Sequence, residues 1–156
     1  TKKFSASYLA SGLALKENTE MSKSEIADIV AEKLEMVGLP NIQKMKPSDL
    51  SGGMKKRVSL ARSLATDPEY ILYDEPTTGL DPVMSDQIDD LIKELSNKLK
   101  VTSVVVTHDI FSVYDVADRV AMMHEGKIYF EGTPKELTET DDKLIRDFLN
   151  RTDKRI

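Results

Sequence analysis

The feature that most limits the fold of this chain is a pair of strand-like apolar segments separated by a helical pattern. The segments are YILYDEP at 70–76 and TSVVVTHD at 102–109. Between them, residues 83–99 place apolar side chains on one helical face, namely Ile88, Leu91, Ile92, Leu95 and Leu99. Two strands joined by such a crossover helix are nearly always parallel and right-handed. We therefore expect an α/β fold with two buried strands whose carboxyl ends share one sheet edge, where open α/β sheets bind ligands.

Other elements are predicted on both sides of this unit. One helix is expected to begin after Ser22, where Ser22 and Glu25 fit a capping box, and to end at Gly38. A second helix runs from the glycine pair at 52–53 to about residue 65. The segment VAMMHEGKIYFEG predicts a hairpin that turns at Glu125-Gly126. TPKEL predicts a further helix start, and an amphipathic helix follows it.

Composition limits the class of function. The chain is 40% hydrophobic and 31% charged, which is ordinary for a soluble globular domain. Its net charge of −5 gives no indication of a nucleic-acid partner. The absence of cysteine excludes disulfides and thiolate metal sites. No apolar run approaches the roughly 18 residues that a membrane span needs.

The strand ends carry the chemistry. The first strand runs into Asp74-Glu75-Pro76, and Pro76 is expected to keep Glu75 extended. One carboxylate could hold a metal ion while the other orients an attacking water, a division of labour that phosphoryl transfer needs. The second strand ends beside His108, which could contact a transferring phosphate. Taken alone, a carboxylate pair after a strand is more often part of a solvated loop, and a histidine at a strand end more often has a structural role. Their expected position at the same sheet edge is what favours a functional site.

The segment DLSGGMKKR at 49–57 suggests an anion site. Ser51 can cap a helix whose first turn holds Gly52 and Gly53, and the free N–H groups of such a turn attract phosphate. A flexible turn explains a glycine pair about as well. Lys55 to Arg57 fit either a solvated face or a basic patch, together with Lys44, Lys46 and Arg62. In TTGLDP, Asp81 before a proline fits a helix cap.

Together these motifs resemble a known family. The string LSGGMKKRVSLARSLATDPEYILYDEPTTGLDP, followed by VVVTHD, resembles the nucleotide-binding subunits of ABC transporters over roughly residues 23–138. The resemblance implies an α/β fold that is the C-terminal half of a P-loop NTPase (RecA-like) ABC ATPase core with part of its helical subdomain. It implies that 21–66 belong to the helical, signature-bearing subdomain and 67–156 to the core with terminal helices, and it leaves 1–20 unassigned.

The resemblance also implies roles for particular residues. Asp74 would help hold Mg²⁺, Glu75 would be the catalytic carboxylate, and the switch histidine His108 would contact the γ-phosphate. Asp81 would lie in the D-loop and couple two ATP sites across an interface. The signature motif would contact ATP bound by a partner subunit, and its residues are Ser51, Gly52, Gly53 and Met54.

The family also implies partners and a location. A second ATPase subunit would form a head-to-tail dimer, membrane permease subunits would anchor it, and no nucleic acid is expected. The protein would lie on the cytoplasmic face of the inner or plasma membrane. Met54 stands where the signature usually has Gln, and in this respect the chain resembles the ATPases of Mce/Mla-type lipid transporters.

One element of the family is missing from the sequence. ABC ATPases need a Gly-x-x-x-x-Gly-Lys-Ser/Thr loop to hold phosphates. The only Gly-Lys pair is Gly126-Lys127, which Ile128 follows. We therefore expect a fragment that is inactive alone and self-associates through unpaired strands. Two alternatives stay open: a soluble, non-transport ABC ATPase, and a non-catalytic partner that donates only its signature motif.

Overall fold

The computed structural model describes residue 12 and residues 15–153, with side chains up to residue 150. The unassigned opening segment, 1–20, lies mostly outside the described residues. Six helices and four strands can be named, and a 3-10 helix at Pro47–Asp49 precedes the second of these helices. In chain order they are α1 Lys23–Met36, α2 Gly52–Leu64, β1 Tyr70–Asp74, α3 Pro82–Leu99, β2 Thr102–Val106, α4 Ile110–Val116, β3 Val120–His124, β4 Lys127–Gly132, α5 Pro134–Glu139 and α6 Lys143–Asp153.

The chain divides into two compact units, one ending at Val105 and the other beginning at Val106. The first unit contains α1, α2, β1, α3 and most of β2. The second contains α4, the β3–β4 hairpin, α5 and α6. The subdomain assignment made from the sequence, with its boundary after residue 66, stays a prediction.

Local signals fix the ends of α1. The Ser22 hydroxyl accepts from the Glu25 N–H at 3.3 Å, and a Glu25 carboxylate oxygen accepts from the Ser22 N–H at 2.7 Å. This is the predicted capping box, and it satisfies two N–H groups that the first turn leaves unpaired. Gly38 follows the helix with φ of 72°, a left-handed conformation that glycine adopts without strain. The predicted helix and both its signals are confirmed.

Apolar side chains from the helices form the core of the first unit. In α3 the predicted apolar face is the buried one, except that Leu99 is only half-buried. The largest side chains with almost no exposure in this unit are Val30, Leu34, Val37, Leu64, Ile88, Ile92 and Leu95. One buried cation joins the helices to the loop after α2, because the Lys33 ammonium donates to Asp67 at 2.7 Å.

β1 and β2 pair in a two-stranded sheet. The N–H of Thr102, at the start of β2, donates to the carbonyl of Glu69, just ahead of β1, at 2.9 Å. Both strands therefore start on the same side, as a parallel pair does.

The expectation that both strands are buried is wrong. Ile71 and Tyr73 of β1 are buried, but Leu72 is 78% exposed and Val104 of β2 is 48% exposed. Alternate residues of a strand point to opposite faces, and the described residues cover only one face of this sheet. The apolar pattern on both faces is real, but burial depends on what packs against each face.

In the second unit, β3 and β4 form the predicted antiparallel hairpin. His124 pairs with Lys127, so Glu125 and Gly126 make the turn, with φ values of 47° and 75°. Two successive residues with positive φ are typical of the type I′ turn, which matches the twist of hairpin strands. The only Gly-Lys pair of the sequence thus lies at a hairpin turn rather than in a phosphate loop.

The segment after the hairpin is ordered by side-chain bonds. Thr133 and Glu136 form a second capping box at the start of α5, as TPKEL predicts. The Tyr129 hydroxyl donates to Asp142 at 2.8 Å, and Asp142 in turn accepts from the N–H groups of Leu144 and Ile145 in α6. Among the described helices, none combines the length and the apolar character that crossing a membrane requires.

Candidate functional site

The candidate site is built around the N-terminus of α2. The Ser51 hydroxyl accepts from the Met54 N–H at 3.2 Å and so caps the helix, as predicted. Ser51 and Gly52 are exposed and Met54 is half-buried. The exposed start of the helix has a serine hydroxyl, the N–H groups of the first turn and the positive end of the helix dipole, and these are groups that bind anions.

The two glycines of the motif have different surroundings. A Cβ added to Gly52 would lie 3.6 Å from Leu80, an ordinary contact distance. A Cβ added to Gly53 would lie 2.1 Å from the terminal methyl of Met84, in α3. Gly53 is buried, so its missing side chain leaves room for α3 rather than for an open ligand space. Of the pair, only Gly52 is freely presented at the surface.

Two cations of the basic run after the motif make internal contacts. The Lys56 ammonium donates to the main-chain carbonyl of Glu75 at 3.0 Å. The Arg57 guanidinium donates to the carbonyl of Val37 at 3.0 Å and to Gln87 at 3.3 Å. Both side chains are half-buried, so they belong neither to a solvated helix face nor to an open basic patch, the two alternatives that the sequence left open. Sequence reasoning missed these roles, although helical spacing places Lys56 on the same face as buried Gly53 and Leu60.

The two carboxylates follow each other at the end of β1. Asp74 is exposed and is the last residue of the strand, while Glu75 is half-buried beyond it. Glu75 has φ of 48°, so the expectation that Pro76 keeps it extended is wrong. A proline disfavours the right-handed helical region for the residue before it. Glu75 avoids that region by turning to the left-handed side, which reverses the chain direction into the next turn.

Thr78 holds the carboxylate in this turn. Its hydroxyl donates to Oε2 of Glu75 at 2.9 Å, and its N–H donates to the Glu75 carbonyl at 3.3 Å. One carboxylate oxygen of Glu75 thus has a fixed partner. Thr78 is a second residue that reasoning from the strand ends missed, since only the three-residue spacing of a turn connects it to Glu75.

A cavity of about 120 Å³ lies between α2 and β1. Its polar lining comes from Lys56, Ser59, Ser63 and Asp74, and its apolar lining includes Leu72 and Ile88. It has room for a few water molecules at most. Water in this cavity would be close to Asp74.

Asp81 caps the helix that follows the turn. Its carboxylate accepts from the Met84 N–H at 3.0 Å, and Pro82 occupies the first helical position. The expected helix start is therefore confirmed, and Asp81 is exposed. Its predicted contact across a subunit interface stays a prediction, because a cap can also be purely structural.

His108 lies in the second unit, between β2 and α4. Its side chain is exposed. A hydrogen bond joins its two neighbours, because the N–H of Asp109 donates to the Thr107 hydroxyl at 3.0 Å. Asp109 in turn caps α4 by accepting from the Phe111 N–H at 3.0 Å. The expected grouping of His108 with Asp74 and Glu75 stays a prediction.

Asp74 is the residue proposed to hold magnesium. Within the described ranges, no group of three or more His, Asp or Glu side chains is arranged to hold a metal ion. Mg²⁺ bound with a nucleotide does not need such a group, since it takes one or two carboxylates and completes its six ligands with phosphate oxygens and water. An exposed carboxylate such as that of Asp74 fits that requirement.

Comparison with known proteins gives one matching family and several relatives. Residues 3–78 match the family model described as ABC transporter. The chain is 42% identical over 135 residues to the intermembrane phospholipid transport system ATP-binding protein MlaF of Haemophilus influenzae, covering 86% of this chain and 51% of that protein. It is 39% identical over 143 residues to the probable ribonucleotide transport ATP-binding protein mkl of Mycobacterium leprae, covering 92% and 41%. The chain thus spans about half the length, or less, of these curated relatives.

Two solved structures are similar in fold. The cbiO1 protein of Clostridium perfringens, part of the ABC transporter complex cbiONQ, superposes with a TM-score of 0.77 at 32% identity, covering 97% of this chain and 60% of that one. The ATP-binding cassette MJ0796, in a dimeric post-hydrolysis state bound to ADP and Pi, superposes with a TM-score of 0.69 at 33% identity, covering 86% and 58%. Both likenesses support the α/β class predicted from the crossover.

Proposed function

The chain belongs to the ABC transporter family, and we propose that it supplies the signature motif and the hydrolytic carboxylate of an ATP-binding, ATP-hydrolysing transporter subunit. The observation that carries this proposal is the position of Glu75. It directly follows Asp74 at a strand end, Thr78 orients its carboxylate, and Lys56 connects it to the motif helix. Residues 21–66 would form part of the helical subdomain and residues 67–156 part of the nucleotide-binding core.

In the proposed reaction, Glu75 accepts a hydrogen bond from the attacking water and orients it toward the γ-phosphate. His108 contacts the γ-phosphate, and Asp81 connects the two nucleotide sites of a dimer. Asp74 would help hold Mg²⁺, which when bound neutralises charge on the phosphates.

The exposed start of α2 would contact ATP bound by a second ATPase subunit. The contact groups would be Ser51, Gly52, Gly53 and Met54. Because the motif faces outward on its helix, a head-to-tail dimer would give each nucleotide groups from both chains. The dimeric state of the similar cassette MJ0796 supports this arrangement. Membrane permease subunits would hold the dimer at the cytoplasmic face of the inner or plasma membrane.

For the cargo we propose lipid, of the Mce/Mla type. Support comes from Met54 in the signature and from the relative named as an intermembrane phospholipid transport ATP-binding protein. The mycobacterial relative is named for ribonucleotide transport, so the names alone favour no single cargo. Co-purification with permease subunits and bound phospholipid would support lipid transport, whereas purification with DNA-repair or translation components would contradict it.

Hydrolysis needs a phosphate-binding loop that these 156 residues do not contain. We therefore expect this polypeptide alone to bind ATP weakly and to show no Mg-dependent turnover; measurable turnover would overturn that expectation. The coding sequence upstream of Thr1 distinguishes two possibilities. A phosphate-binding loop encoded there would belong to the same polypeptide, whereas its absence would favour a non-catalytic partner that donates only its signature motif. Turnover therefore has to be measured on a subunit that contains both these residues and such a loop. We call this protein the loop-containing subunit.

The substitution Glu75→Gln tests the catalytic assignment. Glutamine keeps the size of the side chain and can still accept from Thr78, but it cannot take a proton from water. We expect the loop-containing subunit with Glu75→Gln to bind ATP with unchanged affinity and to lose at least about 100-fold in kcat, as removal of a general base typically does. Near-normal turnover would show that Glu75 is not the catalytic carboxylate.

A further inference from the structure

Lys56 connects the motif helix to the main chain of Glu75. It lies one turn beyond Gly53, is half-buried, and its ammonium is 3.0 Å from the Glu75 carbonyl oxygen. A hydrogen bond from a charged donor is shorter and stronger than one between neutral groups. The side chain therefore has a defined partner at the peptide that carries the proposed catalytic carboxylate.

The Glu75 peptide needs such support. A residue other than glycine in the left-handed region costs about 1 to 2 kcal/mol, and Glu75 has φ of 48°. Its carbonyl accepts two bonds, one from Lys56 and one from the Thr78 N–H at 3.3 Å. The Thr78 bond comes from within the same turn and would move with it. The Lys56 bond, by contrast, joins this turn to a different element, α2.

We propose that Lys56 is a positioning residue for Glu75, holding its peptide so that the carboxylate is aimed at the attacking water. This inference rests on the proposed function. In the proposed dimer, the motif at the start of α2 contacts the partner's ATP, while Glu75 acts on the ATP of its own subunit. The Lys56 bond then connects the two nucleotide sites within one chain, and closure on one nucleotide is transmitted to the hydrolytic group of the other.

Neighbouring cations do not share this role. Lys55 is exposed, and Arg57 bonds to Val37 and Gln87. A purely structural role for Lys56 would lower stability and ATP affinity together with turnover. A positioning role lowers kcat far more than it changes KM for ATP or the unfolding midpoint, and an arginine at position 56 restores the turnover.

The test compares Lys56→Met, Lys56→Arg and the control Lys98→Met in the loop-containing subunit assembled with its partner. Met keeps the unbranched chain without the donor, Arg keeps the donor, and Lys98 is an exposed lysine of α3. We expect Lys56→Met to lower kcat about tenfold, with KM nearly unchanged and only a small fall in Tm. Lys56→Arg should restore most of the turnover, and Lys98→Met should match the parent.

The outcomes separate this inference from the proposed function. Normal turnover in Lys56→Met while Glu75→Gln is inactive would overturn the positioning role and leave the catalytic assignment intact. Normal turnover in Glu75→Gln would overturn the catalytic assignment itself. If Lys56→Met does not fold, Lys56→Gln replaces it. Failure of both to fold, with Lys56→Arg folded, would show a structural role and overturn the inference.

Discussion

The terminal methyl of Met84 occupies the place where a side chain on Gly53 would begin, with only 2.1 Å between that methyl and an added Cβ. The second glycine of the motif thus serves the approach of α3 to α2. The first, Gly52, is exposed and has ordinary space around it. The missing side chain of Gly52 thus leaves the surface open to a ligand, whereas the missing side chain of Gly53 makes room for α3.

Gly52→Ala should impair turnover without harming the fold. An added Cβ meets Leu80 at 3.6 Å, so it fits, and alanine is a better helix residue than glycine. The same Cβ would stand where a phosphate approaches the N–H groups. We expect unchanged or slightly higher thermal stability and about a tenfold or greater loss of kcat/KM for ATP in the loop-containing subunit. Thr66→Ala, exposed beyond the end of α2, is the control; equal turnover in both variants would refute contact at Gly52.

Asp67→Asn should destabilise the first unit modestly. The Lys33 side chain is 7% exposed and has Asp67 and Glu32 as partners, at 2.7 and 3.2 Å. Burial opposes the charge of Lys33, but these bonds outweigh it and raise its pKa. Asn keeps the size and tolerates the φ of 46° at this position, so the change removes mainly the charge.

For Asp67→Asn we expect the free energy of unfolding to fall by about 1 kcal/mol. The effect stays below that of a fully buried pair because the Asp67 side chain is 80% exposed. Urea denaturation of this chain measures it. Glu139→Gln, which alters the exposed pair with Lys135, should leave the midpoint unchanged; an Asp67→Asn midpoint equal to that control would contradict the role of the pair.

The two capping boxes should make stability fall in acid. The N–H of Ser22 bonds to Glu25 and the N–H of Thr133 bonds to Glu136, and these bonds lower the pKa of both carboxyls below 4.5. A lowered folded pKa means that the stabilisation is complete above the ordinary value of 4.5 and is lost as pH falls through the folded value. We expect the urea midpoint to drop as pH falls from 6 toward about 3, through that window.

The double variant Glu25→Gln, Glu136→Gln is the probe of this acid dependence. Glutamine can still close a capping box but does not titrate in this range. Its midpoint should therefore depend on pH less steeply than that of the parent. Glu94→Gln removes one carboxylate from the exposed middle of α3 and serves as the control for charge. Parallel pH profiles for the parent and the double variant would contradict the contribution of the caps.

Elements with local signals could be predicted from the sequence. The capping boxes at Ser22 and Thr133, the cap at Asp81 and the turn at Glu125-Gly126 each depend on residues within a few positions of one another. The crossover pattern was enough to predict the α/β class. In the candidate site, the motif helix and the carboxylates at the strand end were predictable for the same reason.

The remaining features depend on contacts between distant segments. The bond from Lys56 to Glu75 joins residues 19 positions apart, and the bond from Arg57 to Gln87 joins residues 30 apart. The exposure of Leu72 depends on what packs over a sheet face, which an apolar pattern does not specify. The backbone of Glu75 was misjudged because the rule for residues before proline excludes one helical region and leaves the left-handed one open.

We expect the open face of the β1–β2 sheet to affect how this chain behaves during expression and purification. Leu72, Tyr70 and Val104 present apolar surface on exposed strand positions, a surface that promotes aggregation when nothing covers it. Of these residues, Leu72 also lines the cavity beside Asp74, whereas Tyr70 and Val104 do not. Polar substitutions at Tyr70 and Val104 are therefore the better choice for raising solubility without changing the lining of that cavity.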